Sequence, residues 1–122
     1  MKAQRLVLLG QVHGATITRA DVDANDGVRL PDALFDAAGF AAHEKVEVYC
    51  LESGTRLGCE AVAGAKPGEV EVGGAAALLL KPGARVVIAA WGWVKGKQAI
   101  KHEPVVVRVD DDNAPLRGAT RR

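Results

Sequence analysis

Serine is almost missing from this chain: 122 residues contain one, Ser53, set between Glu52 and Gly54 where a tight turn is expected. No other position can supply a serine hydroxyl as a nucleophile. Aromatic residues are also scarce, at 4%, while apolar residues reach 48% with Ala and Val foremost. That composition suits short, closely packed strands better than a loose helical bundle. Neither sign of charge is in excess. Sixteen Lys and Arg face fifteen Asp and Glu, a net +1, so no global field recruits nucleic acid or a membrane surface. Long apolar runs are absent as well. Val7-Leu8-Leu9 is too short for a signal peptide core or a spanning helix, which predicts a cytoplasmic protein. Cys50 and Cys59 lack metal-ligand spacing and neighbouring histidines, so the expectation is reduced thiols and no metal.

What is present reads mostly as strand. Leu6–Leu9 is a short apolar run, and Ala15-Thr16-Ile17-Thr18 alternates with period two. Asn25-Asp26-Gly27 signals a turn before the extended Val28–Leu30. Pro31 to Gly39 differs: proline opens it, apolar residues recur at helical spacing and glycine closes it, predicting a short helix. Lys45–Leu51 alternates again, and Ser53-Gly54 can turn it back into Thr55–Val62 as a hairpin. Lys66-Pro67-Gly68 leads into Val70–Val72, Gly73-Gly74 opens a small apolar helix over Ala75–Leu80, and a second turn, Lys81-Pro82-Gly83, leads into Val86–Ala90. Pro104–Val109 is the last strand expected. The repeated Lys-Pro-Gly turn hints at two similar halves. Many short strands, two small helices and no regular strand–helix alternation predict an all-β fold closed into a barrel. One domain is expected over residues 1–115, with 116–122 a flexible basic tail.

Three stretches carry a family resemblance: Val12-His13-Gly14-Ala15-Thr16-Ile17-Thr18-Arg19-Ala20-Asp21; Asp36-Ala37-Ala38-Gly39 leading to the Lys45 strand and Arg56; and Gly74-Ala75-Ala76-Ala77 through Pro82-Gly83 to Val86-Val87-Ile88-Ala89. With the ending Pro104–Val107, Asn113 and Pro115, the chain resembles bacterial pyruvoyl-dependent aspartate 1-decarboxylase over nearly its whole length. The resemblance implies a six-stranded double-psi β-barrel and a homotetramer with active sites between subunits. Such enzymes cut their own backbone at a Gly-Ser pair and convert the serine into a pyruvoyl cofactor. Here the matching pair is Asp26-Gly27. Without a side-chain hydroxyl to attack the preceding carbonyl there is no ester to eliminate, so the expected cofactor is none.

By the same resemblance His13 matches the family's histidine and Arg56 its substrate-carboxylate arginine. The lysine two residues before that histidine is Gln11, the tyrosine upstream of the cut is Ala24, and the Thr-Tyr pair with the proton-donor tyrosine is Cys59-Glu60. The ligand-fixing asparagine is Gly73.

The surviving ionisable residues set the candidate site. Arg56 offers a planar, permanently charged fork for a carboxylate; otherwise it is an exposed strand arginine. Glu60, in a partly dry pocket between subunits, could shuttle a proton, since desolvation disfavours the anion; otherwise it is a solvated edge residue. The two share a strand face but stand about 13 Å apart along it, so both reach one small ligand only if the strand bulges, as at Gly58, or if subunits combine. His13 is either a general base or a structural histidine. Cys59 alternates with core residues and would be a nucleophile only as a thiolate. Gly73, Gly74, Ala75 and Ala76 let the backbone approach a ligand. Trp91 and Trp93 face one side, filling a subunit interface or lining a pocket for something more apolar than aspartate. His43 and His102 read as surface.

Two functions follow. One is an uncleaved enzyme performing cofactor-independent acid–base chemistry on a carboxylate-bearing small molecule: dehydration, elimination, isomerisation or cyclisation, as in a specialised biosynthetic pathway. The other is a non-catalytic ligand-binding or regulatory relative. A decarboxylase making β-alanine ranks third.

Overall fold

The computed structural model describes residues 3–116 and the backbone of residues 120–121. Its strands are β1 (Gln4–Thr16), β2 (Arg19–Asp21), β3 (Gly27–Pro31), β4 (Glu44–Cys50), β5 (Arg56–Ala65), β6 (Glu71–Gly73), β7 (Arg85–Lys95), β8 (Val105–Arg108) and β9 (Thr120–Arg121). Its helices are α1 (Asp32–Ala37), α2 (Ala76–Leu79) and α3 (Gly96–Lys101). Mostly β was expected and is found, but with nine strands and three helices where six and two were anticipated. The predicted tail falls outside the described residues from 117 onward, apart from β9, whose backbone pairs antiparallel with β8.

The strands join one sheet in the order β2-β6-β3-β5-β4-β7-β1-β8-β9. Among the described residues no strand pair links β2 to β9, so closure is not expressed as a ladder. A single apolar cluster nevertheless draws Val28 and Val72 from one end of that order and Val12 and Val107 from the other, so the sheet curls about one core.

A run of fully apolar sequence explains the centre. Val86 to Ala90 of β7 is buried on both faces, flanked by β4 and β1, as a strand between two neighbours inside a curled sheet must be. Beyond Ala90 the burial alternates, and the strand continues to Lys95 against Gln4–Leu8. Trp91 and Trp93, expected to share one side of this strand, are both exposed on the extension. The helix Asp32–Ala37 starts one residue after Pro31, buries Leu34 and Phe35, and ends before Gly39 at φ +75°. Helix α3 has no side-chain cap. Tertiary contacts hold its ends, with the Gly96 N–H donating to the Ala3 carbonyl at 3.1 Å and the His102 ring Nε2 2.6 Å from the Leu8 carbonyl. His102 is therefore a clasp between α3 and β1 and not the plain surface residue expected.

Candidate functional site

A cleft of about 440 Å³ opens beside Gly27, lined by β3, β5, β6 and the loop between β2 and β3. The backbone builds it directly. Strand β3 runs parallel to β5, with Val28 beside Ala61 and Arg29 beside Val62, and antiparallel to β6, with Gly27 opposite Gly73 and Arg29 opposite Glu71. Side chains alternate across a sheet, so Gly27, Arg29, Glu60, Val62, Glu71 and Gly73 share the face toward the cleft, and all six line it.

Position 27 is shaped for glycine. Its φ is +132°, and a Cβ built there would lie 2.6 Å from the Glu60 carbonyl oxygen and 3.2 Å from Glu60 Cγ. Above it, the Glu60 carboxylate meets His43, exposed as expected but engaged. His43 Nδ1 lies 2.8 Å from Glu60 Oε1. His43 precedes β4 with a left-handed φ of 66°, and its N–H donates to the Ala61 carbonyl at 2.8 Å. The hairpin register of β4 on β5 (Glu44 opposite Ala61, Lys45 opposite Glu60) brings it there. Glu60 is 46% exposed at its side chain, so this chain alone does not provide the dry surroundings expected for it.

The same face carries further charge. Arg19 meets Glu71 at 3.9 Å. Asp26 Oδ1 accepts from the Ala76 N–H at 3.4 Å, which ties the loop to the start of α2. Gly73 and Gly74 make room for that loop: a Cβ at Gly73 would run into the Asn25 carbonyl oxygen, and one at Gly74 would lie 2.7 Å from Asp26 Cα.

Residues 3–116 match the family model described as aspartate decarboxylase. The chain is 37% identical over 119 residues to the aspartate 1-decarboxylase of Myxococcus xanthus (strain DK1622), covering 97% of this chain and 92% of that one. It is 34% identical over 110 residues to the aspartate 1-decarboxylase of Hydrogenobaculum sp. (strain Y04AAS1), covering 90% and 87%. The chain belongs to the aspartate decarboxylase family.

Within this family member the expected site residues part company. Glu60 and Gly73 line the cleft; Arg56, Cys59, His13 and Trp91 do not. Arg56 lies on β5 in unbroken register with Tyr49, and no bulge occurs at Gly58. Lys45 fills the space over Gly58, its Cε 3.2 Å from where a Cβ would stand. Arg56 and Glu60 therefore do not converge within one chain. The Arg56 guanidinium instead stacks 4.1 Å from the centre of the Tyr49 ring. Tyr49 donates to Glu47 Oε1 at 2.5 Å and accepts from Trp91 Nε1 at 3.3 Å. Burial, then that carboxylate, raises the Tyr49 pKa. Trp91 and Trp93, 38% and 66% exposed, lie beside this cluster with Leu6 on the β1–β7 ribbon.

Cys59 packs into the core, where desolvation first, then the charges of Asp26 and Glu60, push its thiol up to about 11. That is the reverse of what a nucleophilic thiol needs. His13 is half-buried on β1 between β7 and β8. Gly74 and Ala76 serve the loop contact, and Ala75 is exposed beside them. Among the described residues no helix is long and apolar enough to cross a membrane.

Proposed function

We propose that this family member works uncut, without a pyruvoyl group, as an acid–base enzyme acting on a carboxylate-bearing small molecule. The observation that carries the reading is the Glu60–His43 pair poised directly over Gly27. Two facts support the absence of a pyruvoyl group. Position 27 has no hydroxyl, and its backbone leaves no space for a side chain.

Glu60 stands where the family's proton donor is expected. An ionisable residue there, with a second one aligned on it, favours proton transfer over simple decay of the site. His43 Nδ1–H holds one carboxylate oxygen, and Oε2 carries no hydrogen bond among the described residues. Oε2 is then the atom that takes a proton from a carbon activated by the substrate's carboxylate, and later returns it. Dehydration, elimination, isomerisation and cyclisation all use such a step.

The fold reading goes with it. The six central strands, β3-β5-β4-β7-β1-β8, pair as parallel, antiparallel, antiparallel, antiparallel, parallel. That order is symmetric about the β4–β7 pair, as the two related halves of a double-psi barrel require. A homotetramer would bury the exposed Leu6, Trp91 and Trp93 and dry the cleft.

The test is turnover of small-molecule extracts read by mass spectrometry. The native protein should deplete a carboxylic acid, and Glu60→Gln, which keeps shape and loses the titrating group, should lose at least about a hundredfold in rate. Full activity in Glu60→Gln would remove Glu60 as the acid–base group. No depleted metabolite, with a retained ligand instead, would favour the non-catalytic binding relative, a reading supported by the exposed position of Glu60 in the single chain.

A further inference from the structure

We infer that Arg29 grips the substrate carboxylate; this rests on the acid–base reading of the cleft. Arg29 matches no motif in the sequence, since Val28-Arg29-Leu30 reads simply as a short strand. The structure sets its exposed side chain in the cleft with Glu60 and His43.

Three observations converge on it. The first is charge. Of the basic side chains lining the cleft, Arg19 faces Glu71 at 3.9 Å and His43 faces Glu60 at 2.8 Å. Among the described residues the Arg29 guanidinium has no ion pair or hydrogen bond. Glu71, directly opposite it across the β3–β6 ladder, is engaged by Arg19 instead. An unengaged fork in a concave site is the group left over for a ligand's anion.

The second is reach. Arg29 lies beside Val62, two residues along β5 from Glu60. One strand spacing and two residue rises put its Cα about 8 Å from that of Glu60. Arg56 stands four residues from Glu60 on the same strand, about 13 Å away, with Lys45 over the intervening Gly58. A carboxylate on Arg29 therefore places the first or second carbon of a short acid near Glu60 Oε2. Arg56 gives no such placement within one chain. The third is competition. Arg56 already stacks on Tyr49 at 4.1 Å, whereas no contact of that kind occupies Arg29.

The ligand class that fits is a short-chain carboxylic acid whose reacting C–H is α to the carboxylate. Full-length protein labelled with 15N would be titrated with succinate, and with neutral succinamide as control, following the Gly27 amide and Arg29 Nε by NMR. Saturable shifts at both with succinate alone are expected. Arg29→Ala should weaken binding about tenfold to a hundredfold, with Arg29→Lys in between. Thermal melts should be unchanged in both variants, since the side chain is exposed. Succinate binding undiminished in Arg29→Ala, or no shift at Arg29 in the native protein, overturns the assignment. If Arg56→Ala loses binding while Arg29→Ala keeps it, the grip belongs to Arg56. Glu60→Gln would then still decide the acid–base reading by itself.

Discussion

Restoring a serine at position 27 is the perturbation that most directly probes this site. In the family the serine is the precursor of the cofactor, so Gly27→Ser would be the obvious route back to self-cleavage. The structure predicts that it fails for a backbone reason. At φ +132° an L side chain is strained, at a cost of roughly 1–3 kcal/mol. The new Cβ would also lie 2.6 Å from the Glu60 carbonyl oxygen. Relieving that overlap means moving β5, whose residues Arg56 to Ala61 are all paired with β4, and overpacking of this kind costs about 1–3 kcal/mol more.

A total of about 4 kcal/mol is a large part of the roughly 5–15 kcal/mol that holds a domain together. For a chain of this size it lowers the melting temperature by about 12–20 °C. Melting followed by circular dichroism should show the same drop for Gly27→Ala and Gly27→Ser, because the Cβ and not the hydroxyl is at fault. Intact-mass analysis should find Gly27→Ser, and the double variant Asp26→Gly/Gly27→Ser, as single uncut chains. A Gly27→Ser protein that melts with the native one, or that splits into two fragments with a ketone-capped terminus, would refute the reasoning. The position would then be vacant and not closed.

Two further outcomes follow from other parts of the structure. Cys59, with its thiol pushed up to about 11 from an ordinary 9.0, should resist iodoacetamide at pH 8 in a Cys50→Ala background and react fully once unfolded. Because its pKa is raised in the folded state, its share of stability, about 2 kcal/mol or less, is intact below pH 9 and drains away toward pH 11; a flat stability profile across that window would contradict the burial argument. Asn113 is buried at 3% exposure; its Oδ1 accepts from the Thr16 N–H at 2.7 Å, and its Nδ2 donates to the carbonyls of Thr16 and Gly68, both at 2.9 Å. Asn113→Ala orphans three backbone groups and should cost about 2–4 kcal/mol in chemical denaturation, whereas a loss under 1 kcal/mol would mean that water replaces the amide.

The parts of the fold that sequence made legible are those where one local signal suffices. Pro31 and Gly39 bracket α1, Ser53-Gly54 closes the β4–β5 hairpin, and alternation marks β4. Strand β2, three residues long, and α3, held by Ala3 and Leu8 from a distant segment, carry no local signature. The site divides the same way. Glu60 and Gly73 stand at positions that the family resemblance singles out. His43, among polar residues, is exposed as its surroundings imply, and what they do not reveal is its contact with Glu60. The hairpin turn already fixed its register, since with Lys45 opposite Glu60 the residue two before Lys45 is the diagonal neighbour of Glu60 on the same face. Arg29 needed the parallel pairing of β3 with β5, a long-range fact that no turn announces.

That pairing also explains why the departures from the family pattern belong together. Gly27 sits opposite Gly73 across the β3–β6 ladder. Because Gly73 and its neighbour Gly74 have no side chain, the Asn25 carbonyl packs onto Gly73 and the Asp26 carboxylate reaches the Ala76 N–H. An asparagine at 73 would drive its Cβ into the Asn25 carbonyl oxygen and lift the loop. A serine at 27 would drive β5, with Glu60, the other way. Each reversal meets a different neighbour, Glu60 at 27 and Asn25 at 73, so either one made singly should destabilise the cleft. The Glu60–His43 pair joins β5 to the residue before β4, so a displacement of β5 by a side chain at 27 should break that 2.8 Å contact as well.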